Sequence, residues 1–327
     1  MIAKEHVDVV IPISDMCSQM LLDQGVRLGA RIAGPTASAY SRASDKDHVL
    51  RLAEVCGLGI PAQHILQGRD HSELSQFGLR YPLVVKPARS VTNVGGRMER
   101  HGVHFVDSSI QLANVIRSIP DSGFPLLLQH RTVGDGIGVF LLRAGKRTIV
   151  RFGHRRLREK PPAGGVSTYR ESIEPPDDLV RRCEHLLDLL EYEGAAMIEF
   201  KQDADTGDFV LMEINARFWG SLQLAIDAGI DFPSILVALA CDSTSNSWQR
   251  ARVGVRSYWE LGELDHALAI ARRSREELHL PPGTAVGLRA AWRALRDHRP
   301  SDQREVLRWD DPMPFLAELV RWPRNRS

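Results

Sequence analysis

Cysteine is scarce in this chain, with four residues among 327, at positions 17, 56, 183 and 241. No two have the spacing of a zinc site or a redox motif, which argues against a thiol-built metal centre and a disulfide framework. Long apolar runs are missing too. The longest, near Phe232 to Cys241, is far short of the ~20 residues that cross a bilayer. The opening residues, MIAKEHVDVV, lack the apolar stretch of a signal peptide, so the expected setting is cytoplasmic. Charge of one sign is also missing: 42 Lys plus Arg face 41 Asp plus Glu, a net charge of +1. Nothing global points to nucleic acid or a membrane, and any basic function has to be local. No internal repeat or low-complexity tract occurs. What remains is 43% apolar and 25% charged residues, the composition of an ordinary globular protein, long enough for about two domains.

Apolar patterning gives an α/β order of elements. Val7 to Ile13 reads as a buried strand followed by a helix from Asp15 to Leu28. Ala43 to Val55 reads as one helix, with Ser44 as N-cap and Gly57 and Gly59 at its end. Strands are expected at Tyr81 to Lys86, His101 to Val106, Leu126 to Gln129 and Val139 to Leu142. A turn at Gly134-Asp135-Gly136 separates the last two. Helical spacing marks Ile110 to Ile116 and the series Leu179, Val180, Cys183, Leu186, Leu187 and Leu190, which Gly194 stops. Ala195 to Lys201 and Phe209 to Asn215 form a hairpin about the turn Asp203 to Asp208. Ile226 to Cys241 reads as helix. Beyond Ser243 the sequence is rich in Arg and holds five of the six tryptophans. These read as packing within a helical subdomain, with a partner surface as the alternative.

The hairpin carries the chemistry. Strand alternation puts Ile198, Phe200, Met212 and Ile214 toward the core and Glu199, Lys201, Glu213 and Asn215 on the other face. The two glutamates are equidistant from Thr206, so a hairpin centred there sets them opposite each other. Like charges directly opposite destabilise a sheet. Two carboxylates and a neighbouring amide oxygen make sense around a hard divalent cation, with Glu199, Glu213 and Asn215 as ligands. Phosphate oxygens and water would complete its octahedron. Arg217, two residues on, can point the same way and hold a phosphate or a substrate carboxylate. The plainer alternative is a solvent-facing strand with Lys201 paired to a glutamate.

The stretch GAAMIEFKQDADTGDFVLMEINARFWGSLQLAIDAGIDFP resembles the metal-binding hairpin of the ATP-grasp superfamily. Its Glu…Glu-x-Asn-x-Arg pattern is similar in spacing to that of carbamoyl phosphate synthetase and biotin carboxylase. The resemblance covers about residues 40–240. It implies an ATP-grasp fold of class α/β, with ATP held between two α+β lobes. The expected units are a shortened N-terminal α/β segment (1–45), an N-terminal lobe (46–125), a C-terminal lobe with the hairpin (126–242) and a helical C-terminal extension (243–327). Proteins of this type usually open with a complete βαβ domain. The 45 residues available suggest a minimal domain, a start further upstream, or a partner or second copy that completes the sheet.

The same resemblance implies roles for further residues. Mg²⁺ (or Mn²⁺) would sit on Glu199, Glu213 and Asn215, with Arg217 at the phosphate or acyl phosphate. Lys86, at a strand end, would meet the α- and β-phosphates of ATP; otherwise it is a snorkelling surface lysine. Lys46 matches an early phosphate-facing cation, or is a first-turn helix residue. Ser90 to Gly96 would close over the triphosphate, with backbone donors at Gly95 and Gly96, although this also reads as an ordinary hairpin turn. Gln129 and His130 would form the adenine hinge, and Asp135 is a candidate for the ribose. In the basic run RFGHRRLREK, His154, Arg155 and Lys160 are candidates for stabilising the γ-phosphoryl group or an anionic substrate, with backbone donors from Gly164 to Ser167.

The implied function is an ADP-forming ligase that converts a carboxylate into an acyl phosphate, which an amine or similar nucleophile then displaces. A bicarbonate-activating carboxylase-type enzyme and a noncatalytic ATP-binding scaffold completed by a partner are the alternatives. Expected partners are small-molecule carboxylates and amines, without nucleic acid or membrane.

Overall fold

The computed structural model describes residues 6–23, 29–70, 78–242 and 250–323. Leu28 and Ser243, named above, lie outside them. The chain begins with β1 (Val9–Val10), α1 (Asp15–Asp23) and β2 (Arg31–Ile32), a short parallel strand pair. Two helices follow, α2 (Ala37–Ala43) and α3 (Lys46–Val55). The sequence suggested a single helix capped by Ser44. Instead the Ser44 hydroxyl donates back to the Tyr40 carbonyl at 2.6 Å and closes α2. Asp45 caps α3 by accepting from the His48 N–H at 3.1 Å, a normal N-cap arrangement. That break is what places Lys46 at the start of a helix.

A four-stranded antiparallel sheet follows: β3 (Gln63–Leu66), β4 (Leu83–Pro87), β7 (His104–Val106) and β8 (Leu126–His130), in the order β3-β8-β4-β7. Between β4 and β7 stands a separate hairpin of β5 (Val91–Val94) and β6 (Arg97–Arg100). Helix α4 (Ser109–Ser118) covers this sheet, burying Leu112 and Ile116 against Leu83, Val85, Leu126 and Leu128.

The larger sheet contains β9 (Gly134–Ala144), β10 (Arg147–Lys160), β11 (Val166–Ile173), β12 (Gly194–Asp203) and β13 (Phe209–Asn215), with helix α5 (Asp177–Leu189) between β11 and β12. Gly134 and Gly136 lie inside β9 rather than in a turn before it. Alternation along β9 builds two cores. Ile137, Val139 and Leu141 face one side, where α2, α3 and α5 pack. Phe140 and Leu142 face the other. That second side is covered by α6 (Leu222–Asp227), α7 (Phe232–Ala240) and the β1–β2 pair. The expected helix over Ile226 to Cys241 is thus two helices. Gly229 takes φ +105°, a conformation that favours glycine, and Asp231 caps α7 by accepting from the Ser234 N–H.

The C-terminal extension is not purely helical. It runs β14 (Arg256–Tyr258), α8 (Glu260–Arg272), α9 (Leu288–Arg296), β15 (Gln303–Arg304) and α10 (Met313–Arg321). Both short strands join the larger sheet, whose order is β13-β12-β9-β10-β11-β14-β15. The extension therefore backs onto β10 and β11, the strands that floor the site.

Candidate active site

Glu199 on β12 pairs directly with Glu213 on β13. The register then slips between Glu199 and Phe200, so Phe200 faces Leu211 and Met212 is the extra residue of a bulge. Leu211, not Met212, joins Ile198, Phe200 and Ile214 in the core. Met212 instead lines the main cavity, with its sulfur 4.0 Å from Lys86 Nζ. The alternation that put Met212 in the core fails because of that one inserted residue.

The cavity holds about 570 Å³ and lies between the two sheets, a size suited to a small-molecule ligand. Lys86, Gln129 and His130 line it from the smaller sheet. His154, Arg156, Glu159, Lys160, Glu199, Lys201, Glu213, Asn215 and Arg217 line it from the larger. Two glycines make room for this floor. A Cβ on Gly136 would stand 2.6 Å from Arg156 Cδ, and one on Gly138 would stand 2.8 Å from His154 Nε2.

Charge is arranged in layers. Glu199 accepts from Arg156 at 2.6 Å and Glu213 is 3.3 Å from Lys46 Nζ. Glu159 bridges Arg156 and Lys201, both at 3.0 Å. Burial pushes the Glu199 carboxyl above its ordinary range; Arg156 opposes that, and Glu213 adds to it. Burial acts on Glu213 in the same direction, but Lys46 and Lys86 hold it below the usual range. Lys86 is shifted down by burial, and nearby Lys46 lowers it further. This is the pattern of a site where opposing charges sit close together out of water. Lys46, Lys86, Arg156 and Lys201 outnumber Glu159, Glu199 and Glu213, which leaves positive charge for an anion.

Several of the expected residues line one cavity or the other. Lys46 is buried, donating to Ser90 Oγ at 2.7 Å as well as pairing with Glu213. Gln129 is buried and donates to Gln63 Oε1 at 2.8 Å. Arg217 donates to Asp15 at 2.8 Å and to the Phe218 carbonyl at 2.8 Å. It lines both the main cavity and a second one of about 190 Å³, together with Glu213 and Asn215. Ser90 lines only that second cavity.

Other expectations need correction. Arg155 is exposed and lines neither cavity, because β10 turns His154 and Arg156 inward and Arg155 out. Arg156 is the residue that enters. His154 is buried, with Ser221 Oγ 3.2 Å from its Nδ1. Burial, with Arg156 and Arg170 nearby, holds its pKa well below the ordinary range, so it is a neutral imidazole and not a cation. Lys160 does line the main cavity, where it is paired with Asp265 of α8 and lies over the Trp259 ring at 5.2 Å. Gly95 and Gly96 form the two-residue turn of the β5–β6 hairpin, outside both cavities. The Gly96 N–H is already taken by Asn93 Oδ1 at 2.9 Å. Asp135 is exposed and away from the cavity.

Among the described residues, no cluster of three or more His, Cys, Asp and Glu is arranged to hold a metal. The fit to Mg²⁺ rests on fewer protein ligands. Two carboxylates forced side by side by the register, with Asn215 two residues on, suit an ion that binds through one or two carboxylates and takes its remaining ligands from phosphate and water.

Residues 126–261 match a family model described as ATP-grasp in the biosynthetic pathway with Ter operon. Over 201 residues the chain is 25% identical to the mitochondrial methylcrotonoyl-CoA carboxylase subunit alpha of Arabidopsis thaliana, covering 58% of this chain and 27% of that protein. It is 23% identical over 239 residues to urea amidolyase of Lachancea kluyveri, covering 67% of this chain and 12% of that one. The chain thus spans about a quarter or less of these relatives' lengths. Among solved structures, biotin carboxylase of Campylobacter jejuni superposes with a TM-score of 0.62 at 17% identity, over 78% of this chain and 59% of that one. The L-amino acid ligase of Bacillus licheniformis gives 0.52 at 18% identity, over 68% and 53%.

Proposed function

The chain has the fold of the ATP-grasp superfamily, and on that fold we propose a Mg²⁺-ATP-dependent ligase that activates a carboxylate as an acyl phosphate. The observation that carries this reading is the Glu199–Glu213 pair, set in register, with Lys86, Arg156 and Arg217 around it in the main cavity and Lys46 reaching Glu213 from the second. Glu199, Glu213 and Asn215 would hold Mg²⁺. The ion neutralises phosphate charge when bound.

The chain's own residues do the rest. Lys46 and Lys86 hold the triphosphate oxygens, and Gln129 and His130 line the end of the cavity where the nucleoside lies. A substrate carboxylate oxygen then attacks the γ-phosphorus. An O–P bond forms, the bridging O–P bond to the β-phosphate breaks, and ADP leaves with the electron pair. Arg156 and Arg217 stabilise the charge on the transferring group, and the work is mostly positioning and electrostatics. In the second half an amine nitrogen bonds to the acyl carbon, the C–O bond to phosphate breaks, and the amine gives up a proton. Neutral His154 acts here as a hydrogen-bonding group.

Hydroxylamine tests this reading, because it converts an acyl phosphate into a stable hydroxamate. MgATP incubated with pooled carboxylates should give hydroxamate and ADP in equal amounts with some pools. ADP formed without hydroxamate or ligated product in every pool, or bound ATP that is never turned over, would contradict it.

A further inference from the structure

Helix α9 is built the wrong way round for a helix whose only task is packing. It buries Ala291, with Ala290 and Ala294 packed alongside, against the α8 side of the extension. Its largest apolar side chains face solvent: Leu288 is 79% exposed, Trp292 62% and Leu295 38%. Helix α10 buries none of its residues and exposes Met313, Leu316 and Val320. A surface helix normally turns its large apolar residues inward, and an exposed apolar patch marks an interaction site.

The charge on α9 is one-sided. Helix α9 has Arg289, Arg293 and Arg296 and no acidic residue. None of the three has an ion-pair partner among the described residues, and Arg296 lies over the Trp292 ring at 5.5 Å. Three acids of the extension are paired inward. Glu263 pairs with Arg158, Asp265 with Lys160 and Glu305 with Arg170. The one acid on α10, Glu318, accepts from Trp259 Nε1 at 2.7 Å. In a chain of net charge +1, α9 thereby presents a locally basic, apolar surface.

We propose that α9 docks the protein on the surface of an anionic lipid bilayer. Leu and Trp flanked by Arg is the make-up of a helix that lies in the headgroup region. No described helix is long and apolar enough to cross a membrane, so the contact is peripheral. Helix α9 lines neither the main cavity nor the second one. The proposal is independent of the ligase reading.

Vesicle flotation of the full chain tests it, with 70:30 phosphatidylcholine:phosphatidylglycerol against pure phosphatidylcholine. Wild type should bind the anionic vesicles at least tenfold more, and lose that binding at high salt. Leu288→Glu/Trp292→Glu and, separately, Arg289→Glu/Arg293→Glu should both fall to the phosphatidylcholine level with unchanged melting temperature. Failure of wild type to bind the anionic vesicles, or wild-type binding by both variants, would overturn the proposal. So would a self-association that the first variant abolishes while vesicle binding is absent, since the face would then be a protein interface.

Discussion

Arg155 and Arg156 are neighbours in sequence with opposite fates. Only Arg156 reaches Glu199 and Glu159. Arg156→Ala should lower kcat/KM for ATP about tenfold or more, the scale of a lost charge-assisted hydrogen bond, while Arg155→Ala should stay within about twofold of wild type; equal effects would contradict the inward placement of Arg156. Glu199 gives the opposite of an ordinary stability loss. Its carboxyl is raised by burial, so its ionised form costs stability as pH rises through the folded pKa. Glu199→Gln should raise the melting temperature of the ligand-free protein by about 2 °C and remove the stabilisation by MgATP. A lowered melting temperature would show that the Arg156 contact outweighs burial. At this scale the hairpin was readable, because strand alternation and a turn centred on Thr206 set Glu199 against Glu213. Met212 was not, because a bulge is a single-residue event with no periodic signal. Glu159 escaped for a related reason: β10 carries register shifts between Arg156 and Glu159.

Between elements, the contact that matters most is that of α8 on β10. Glu263 is 3% exposed and accepts from Arg158, Thr168 and His298. Burial opposes its ionisation, but these partners hold it down at about 2. A depressed carboxyl contributes stability that is present above the unfolded pKa near 4.3 and lost as pH falls toward about 2. Glu263→Gln should therefore cost on the order of 3 kcal/mol at pH 7, with the gap to wild type narrowing between pH 4 and 2. Urea titrations across that range check it, and a gap independent of pH would assign the loss to packing. Most elements were visible in the apolar pattern: β4, β8, α5 and both hairpin strands fall close to where alternation and helical spacing place them. The glycines of β9 misled, because Gly134 and Gly136 suggest a turn when their use is to leave space above the sheet. Strand β10 misled for another reason. Its charges are matched by carboxylates on β12, α8 and the α5 side, partners that are distant in sequence.

For the molecule as a whole, the two sheets meet across the cavity, and a ligand touching both ties them together. Saturating MgATP at a hundredfold excess over its Kd should add about 2.7 kcal/mol to unfolding stability, read as a rise in melting temperature that ATP with EDTA does not give. The order of the larger sheet was not readable. Strands β14 and β15 have three and two residues, too short to carry a pattern, and their place is set by pairing, β14 with β11 from far along the chain and β15 with β14. The exposed Trp292 and Trp309 were likewise hidden, since burial is a property of the fold and not of the residue. The central claim is that paired glutamates hold a cation which in turn holds ATP. Calorimetric titration of ATP into wild type and Glu213→Gln, each with Mg²⁺ and with EDTA, tests it most directly. Wild type should bind ATP at least tenfold more tightly with Mg²⁺ than without, and Glu213→Gln should show no such difference. Equal Mg²⁺ dependence in the two proteins would contradict the metal site and, with it, the chemistry proposed for the cavity.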